Sequence, residues 1–245
     1  MRTLKLTLAY DGTSYVGWQR QENGLSVQQL VEEACAPLAG GVMPTVAGAS
    51  RTDAGVHALG QVASVSAEID LAPIAVQRAL NVRLPLDVRV MAVEDAPPGF
   101  HARAFSTSKS YRYRIATGSV LSPFDRWFVW HHPVPKDVEA MRAAAVHFVG
   151  RHDFASFQAA GSAVRATVRT LHRLDVRECG GEIVVSVDGD GFLRHMVRAI
   201  VGTLADVGTG LRPALSMPGI LEARDRRAAG VTAPASGLTL VAVRY

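Results

Sequence analysis

Cysteine is scarce in this sequence, lysine is scarce, and no long apolar run occurs. Each shortage removes a class of protein. Cys35 and Cys179 are the two cysteines in 245 residues. Neither stands in a metal-ligand spacing, and two thiols do not make a disulfide framework. Cys35 falls on the apolar face of a predicted helix and reads as a small buried hydrophobe. Cys179 precedes Gly180 and Gly181 and reads as a turn residue. No apolar stretch approaches the length that crosses a bilayer, so no membrane span is expected. The N-terminal residues through Tyr10 alternate apolar and polar side chains, where a signal peptide would need an unbroken apolar stretch. They read as a strand of a cytoplasmic protein. Lysine occurs only at Lys5, Lys109 and Lys136, so the basic residues are nearly all arginine.

What is present is a core and a slight basic excess. Hydrophobic residues make up 48% of the chain, enough for one large domain or two of ordinary size. The 26 basic and 22 acidic residues leave a net charge of +4, which permits a polyanionic partner without demanding one. Arginine suits bidentate phosphate contact and stacking on bases. A genome biased toward arginine and alanine codons would give the same count, and both readings stay open on composition.

The chain reads as two halves with one order of elements. In the first half, a strand spans about residues 2–10, and a helix begins near Ser26. Ser26 and Gln29 have capping-box spacing, and Val27, Leu30, Val31, Ala34 and Leu38 form an apolar stripe. Strands follow near 42–49 and 61–68, then a helix over 73–82 with Pro73 in its first turn, then a strand near 88–93. Pro97, Pro98 and Gly99 interrupt regular structure. In the second half, a strand near 109–117 leads to a helix over 136–149 that Gly150 would cap. Strands near 168–176 and 182–187 are joined by a turn at Gly180 and Gly181. A long helix over 192–207 carries Leu193, Met196, Val197, Ile200, Val201, Leu204 and Val207 on one face, and a strand near 238–244 follows. Strand-helix-strand-strand-helix-strand is the ferredoxin-like unit. The expected fold is therefore α+β: two ferredoxin-like βαββαβ halves, residues 1–104 and 105–245, with adjoining antiparallel or mixed sheets and a central active-site cleft.

One segment stands out chemically. Ala49-Ser50-Arg51-Thr52-Asp53-Ala54-Gly55-Val56-His57-Ala58 lies between two predicted strands and sets a carboxylate among small residues, two places after an arginine. A carboxylate that stays ionised and approachable can act as a covalent nucleophile. Arg51 or another cation would favour the ionised form. On local chemistry alone an Asp-Ala-Gly turn with a surface ion pair is the stronger reading, because such turns are common.

The rest of the chain reverses those odds. Arg51-Thr52-Asp53-Ala54-Gly55-Val56-His57 resembles the active-site motif of the TruA family, tRNA pseudouridine synthase A. The stretch from Tyr10 to Gln21, YDGTSYVGWQRQ, resembles the family's N-terminal signature. Phe100-His101-Ala102-Arg103, followed by Lys109-Ser110-Tyr111-Arg112-Tyr113, resembles its central block. The segments from Gly191 to Arg198 and from Thr232 to Leu238 resemble its later ones. The blocks are in family order and span nearly the whole chain. Ser50 stands where many relatives have glycine, a small-for-small change that leaves the chemistry intact.

The resemblance implies an isomerase that converts uridine to pseudouridine in the anticodon stem-loop of tRNA, at positions 38, 39 and 40. It implies that Asp53 attacks the nucleotide at the base or the sugar, and that Tyr111 lies against the target base. An aromatic there stacks on uracil, and its hydroxyl is placed to assist proton removal from C5. Tyr111 and Tyr113 also read simply as one face of an alternating strand, and both readings can hold. In related enzymes a basic residue of the Arg194–Arg198 motif pairs with the aspartate, which points to Arg198, while Arg51 would bind RNA phosphate. The sequence leaves open which arginine takes which role. No group is lost in the reaction, so neither a cofactor nor a metal is expected. A homodimer in which one subunit holds tRNA for the other is also implied by the resemblance. A non-catalytic RNA-binding protein on the same scaffold is disfavoured by the intact Arg51-Thr52-Asp53 and Tyr111. A hydrolase using Asp53 would need a second acid or a metal site, and none is evident.

Other basic residues are candidates for phosphate contact: Arg103, Lys109, Arg112 and Arg114 around Tyr111, and Arg165, Arg169, Arg173 and Arg177 along a predicted strand. His195 reads as a solvated residue of the long helix, Arg194 equally as a solvated residue or as part of the motif's chemistry, and Arg224, Arg226 and Arg227 as a solvated face. Asp188-Gly189-Asp190-Gly191 lacks the later ligands of a calcium loop and reads as a turn. His131, His132 and His152 lack metal-site spacing.

Overall fold

The computed structural model describes residues 2–134, 136–162 and 164–245. The fold is α+β and divides into two compact units, Met1–Thr107 with Leu240–Tyr245, and Ser108–Thr239.

The first unit contains β1 (Arg2–Tyr10), α1 (Val27–Cys35), β2 (Thr45–Gly48), β3 (His57–Ala67), α2 (Pro73–Arg83) and β4 (Val88–Asp95). Its strands run antiparallel in the order β4-β1-β3-β2. The last strand, β10 (Leu238–Arg244), also neighbours β3 and contributes its residues from Leu240 onward to this unit. The alternation in β1 does what it predicts: Leu4, Leu6, Leu8 and Tyr10 are buried and the residues between them are not. β3 is covered on both faces. Ala63 and Val65 stand opposite Leu6 and Leu4 in the ladder, while Val62 packs with Ala49 and Ala102, and Ser64 Oγ accepts the Ala102 N–H at 3.2 Å. The segment around Pro97–Gly99, irregular as expected, thus leads into a cover for the second face. Ser26 Oγ accepts the Gln29 N–H at 3.3 Å, but Gln29 Nε2 donates to Glu33 at 2.9 Å, so only one arm of the capping box forms.

The second unit contains β5 (Ser108–Ala116), β6 (Trp130–His131), α3 (Val138–Ala145), β7 (Gly150–Asp153), β8 (Val168–Cys179), β9 (Glu182–Gly189), α4 (Met196–Gly208) and α5 (Met217–Ala223). The order β5-β9-β8-β7 is antiparallel, and β6 pairs parallel to β5. Tyr111, Tyr113 and Ile115 stand opposite Val187, Val185 and Ile183 and form a buried layer. Gly180 and Gly181, both at positive φ, close the two-residue β8–β9 turn as expected, and Cys179 is the last residue of β8 rather than part of that turn.

The helices of this unit differ from expectation at their ends. The helix expected over 136–149 is α3 alone, followed by a 3-10 turn at Val146–Phe148; Val149 is extended, so Gly150 opens β7 instead of capping a helix. The helix expected from 192 starts at Met196, because His195 takes a left-handed conformation with φ of 64°. Arg194 and His195 therefore precede α4 and are not residues of it. Every member of the expected α4 stripe is buried, and so are Ala199, Gly202, Thr203 and Ala205. α4 is thus a core helix enclosed on nearly all sides, not a surface helix with one buried stripe. The short strands β6 and β7 are too brief to show a period in sequence.

Candidate active site

Asp53 lies in the loop between β2 and β3, and that loop is gripped from both sides. The segment after β1 runs alongside it. Trp18 N–H donates to Thr52 O at 3.1 Å, Gly55 N–H donates to Tyr15 O at 3.3 Å, and Gly17 forms an isolated antiparallel bridge with Asp53 itself. The approach demands glycine: Gly17 has φ of 105°, and a Cβ there would lie 2.4 Å from Thr52 O. Gly12 is as tight. A Cβ at that position would lie 2.0 Å from Val56 O, and the Gly12 N–H donates to His57 Nδ1 at 3.0 Å. Within the loop, Val56 N–H donates to Asp53 O at 3.1 Å, and Gly55 has φ of 76°.

Side chains complete the grip. Tyr10 Oη and Thr52 Oγ1 share a hydrogen bond at 2.8 Å. The fully buried Gln61 of β3 accepts the Ser50 N–H at 3.2 Å and donates to Ser50 O at 2.7 Å, so its amide imitates a neighbouring strand. Trp18 is buried against Gly48, where a Cβ would stand 2.2 Å from the indole Nε1, and stacks on Tyr10 at 6.3 Å. Tyr15 donates to Asp87 at 2.6 Å; burial, then this bond, pushes its phenol well above the usual range. The result is a half-buried Asp53 between a buried Thr52 and an exposed Ala54, with Arg51 exposed. A carboxylate so placed is fixed through its backbone and reachable from solvent, which a nucleophile requires.

The other two candidate residues belong to the second unit. Tyr111 sits on β5, buried, with its ring edge-on to Phe192 at 5.0 Å and 79°. Arg198 sits in the first turn of α4. Its Nε donates to Ala233 O at 2.7 Å, and Ala233 N–H donates back to Arg198 O at 3.1 Å. Tyr113, two places along β5 from Tyr111, donates to the next carbonyl, Pro234 O, at 2.7 Å. Burial raises the Tyr113 phenol far above its ordinary value, and the nearby Arg198 charge offsets this only in part. Arg198 and Tyr113 together clasp the 232–238 segment, and Gly237 lies flat on the Tyr113 ring, where a Cβ would stand 2.5 Å from it. Arg51 and Asp53 thus share one loop, and Arg198 and Tyr113 share one clasp.

Several basic residues are not the open phosphate ligands they resemble in sequence. Arg114 pairs with Glu182 at 2.7 Å and Asp125 at 3.3 Å. Lys109 is buried, and its Nζ donates to Asp190 O at 3.3 Å. Arg173 and Arg177 share Asp175, at 2.8 and 2.7 Å, but stay largely exposed and so remain open to phosphate. Arg224 is exposed and pairs with Asp153 at 2.9 Å, whereas the half-buried Arg226 binds Gly230 O and Thr232 Oγ1, each at 2.8 Å, and so departs from the solvated face expected of it. Gln61 and Phe192 escaped the sequence reading. Gln61 resembled the first polar residue of a strand, and Phe192 the first residue of a helix that in fact starts four residues later. Among the described residues, no three of His, Cys, Asp and Glu group as metal ligands, and no helix is long and apolar enough to cross a membrane.

Comparison with known proteins bears on the same segments. A family described as tRNA pseudouridine synthase matches residues 7–103 and 144–245. A tRNA pseudouridine synthase A of Geotalea uraniireducens is 45% identical over 245 residues, covering the whole of both chains. Those of Pelobacter propionicus and Acidiphilium cryptum are 46% and 47% identical, over the whole of this chain and 100% and 97% of their own lengths.

Proposed function

This chain belongs to the tRNA pseudouridine synthase family, and on that basis we propose that it isomerises uridine to pseudouridine in the anticodon stem-loop of tRNA, at positions 38, 39 and 40, with Asp53 as the nucleophile. The observation that carries this reading is the doubly gripped loop that presents Asp53 half-exposed among small residues. The reaction breaks the bond from ribose to N1 of uracil. The base turns and rejoins ribose through C5; C5 loses its proton and N1 gains one, so nothing is lost overall. Asp53 attacks the nucleotide and is released when the new bond forms. Tyr111 supplies a fixed aromatic wall for the base, supported by its edge contact with Phe192. Arg198, whose Nε is anchored on Ala233 O, offers its charge to the reacting nucleotide, and the exposed Arg51 contacts RNA phosphate. A uracil within a stem is flipped out first, at a cost of a few kcal/mol.

The same reading takes each half as a ferredoxin-like unit. The order β4-β1-β3-β2 of the first unit and the strand-helix alternation of both support it. The division between the halves is placed near residues 104 and 105. The enzyme would work as a homodimer in the cytoplasm. Pseudouridine mapping in tRNA after incubation with the purified protein tests the substrate: product at positions 38 to 40 is expected, and its absence from the anticodon arm removes the claim. Sedimentation at micromolar concentration tests the dimer.

A further inference from the structure

The stretch between β5 and β6 carries an exposed patch that the active-site reading does not use. Phe124 is 88% exposed, Val120 86% and Trp127 46%. The loop around them is built rather than loose. Ser122 Oγ accepts the Phe124 N–H at 3.2 Å, Ser122 O accepts the Asp125 N–H at 3.1 Å, and Asp125 O accepts the Phe128 N–H at 2.8 Å. The Asp125 carboxylate is held by Arg114, which Glu182 of β9 fixes in turn. His131 Nε2 lies 2.9 Å from Gly118 O and pins the start of the loop. Arg126 donates to Pro123 O and lies over the Trp127 ring, 4.9 Å from its centroid. Apolar surface held in water forgoes about 25 cal/mol for each Å² left uncovered, so a rigid loop presenting two aromatics calls for an occupant.

We propose that Phe124 and Trp127, with Arg126, form a stacking platform for unpaired bases of the tRNA, separate from the residues that carry the chemistry. The inference rests on tRNA being the substrate. Exposed aromatic rings with an arginine stacked on one of them are the chemistry that takes nucleobases without reading their sequence, the base adding to the stack. Arg126 adds positive charge at the loop tip, where a nucleic acid brings phosphate. A second copy of this chain fits less well. Three side chains of about 150–250 Å² or less each fall short of the ~800 Å² per partner that a stable protein interface buries.

The test compares the wild type with the double variant Phe124→Ala, Trp127→Ala and the conservative variant Phe124→Trp, with circular dichroism confirming that all three fold. Binding is measured with transcribed tRNA, with a short single-stranded RNA and with the duplex made from it; turnover is followed on the tRNA. The platform predicts that the double variant raises Kd and KM for tRNA about tenfold for each aromatic, far more than it lowers kcat. It predicts that Phe124→Trp keeps wild-type affinity, and that the single strand quenches Trp127 fluorescence more than the duplex does. Unchanged Kd in the double variant would overturn it. So would weaker binding accompanied by loss of self-association in sedimentation, since the patch would then be a contact between copies. A wild type that makes no pseudouridine would remove the proposed reaction, while the single-strand titration would still decide the platform.

Discussion

Arg51 and Asp53 are two residues apart, yet one is exposed and the other is half-buried with its backbone bridged to Gly17. That difference matches the roles proposed for them. Asp53→Asn preserves shape and hydrogen-bonding capacity but removes the charge on which the proposed attack depends. It is expected to keep tRNA affinity and melting behaviour while lowering turnover on the order of 10³-fold or more. Normal turnover in that variant would rule out Asp53 as the nucleophile. Arg51→Ala is expected to act mainly on KM and Arg198→Ala mainly on kcat, a split that steady-state kinetics on tRNA resolves. The two cysteines differ just as clearly. Burial, and to a lesser degree Glu32, pushes the Cys35 thiol up to about 12, whereas Cys179 is exposed. At pH 7.5 a disulfide reagent should titrate one thiol promptly and the second only in denaturant; two prompt thiols would contradict the burial of Cys35.

At the scale of elements, stability is concentrated where backbone meets backbone. Gln61 secures Ser50 from β3 with two hydrogen bonds, so Gln61→Leu should cost roughly 2–4 kcal/mol and lower kcat by loosening the Asp53 loop. A urea melt and a turnover assay on the same sample check both halves of this expectation. In α4, a Cβ at Gly202 would stand 1.9 Å from Val231 O, which is backbone and has little freedom to retreat. Gly202→Ala is expected to destabilise by ~1–3 kcal/mol and to speed hydrogen exchange over residues 230–234. On β8, burial tends to raise the Asp175 carboxyl, but Arg173 and Arg177 outweigh it and hold it below the ordinary value of 3.8. Its contribution is therefore fully present above the unfolded value and lost as pH falls through the lower folded one. Because Arg173 and Arg177 are largely solvent-exposed, the pair's worth is modest, about 0.5–1 kcal/mol. Urea midpoints at pH 5 and pH 3 should fall less in Asp175→Asn than in the wild type.

For the molecule as a whole, the net charge of +4 is small for a protein that handles RNA. Several arginines that swell the count are spent on Glu182, Asp175 and Asp153. Affinity for tRNA should then come from a few phosphate contacts together with aromatic stacking. Raising salt from 50 to 200 mM is expected to weaken binding on the order of tenfold, rather than the 10³–10⁵-fold of a protein that makes many phosphate contacts. A steeper fall in a filter-binding series would mean that phosphate contact dominates and stacking contributes little.

Features that depend on local pattern were legible in the sequence. β1 and β10 span the expected residues, because alternation over seven to nine residues leaves one register. Ser26 caps α1, Pro73 opens α2, and Asp53 lies between two strands as expected, although β3 starts at His57, inside the motif. The family was legible too, because its blocks recur in order along the chain. Contacts between residues far apart in sequence emerged only on folding. Glu182, 68 places away from Arg114, makes that arginine an ion-pair partner. Ala233, 35 places from Arg198, fixes the guanidinium of α4. The left-handed turn at His195 starts α4 four residues late, and no periodicity announces a single residue at positive φ. Gln61 looked like any polar strand residue until the chain folded and set its amide against Ser50. Local pattern fixes which residues form an element; a side chain's partner is settled only when distant parts of the chain compete for it, and that competition takes place in three dimensions.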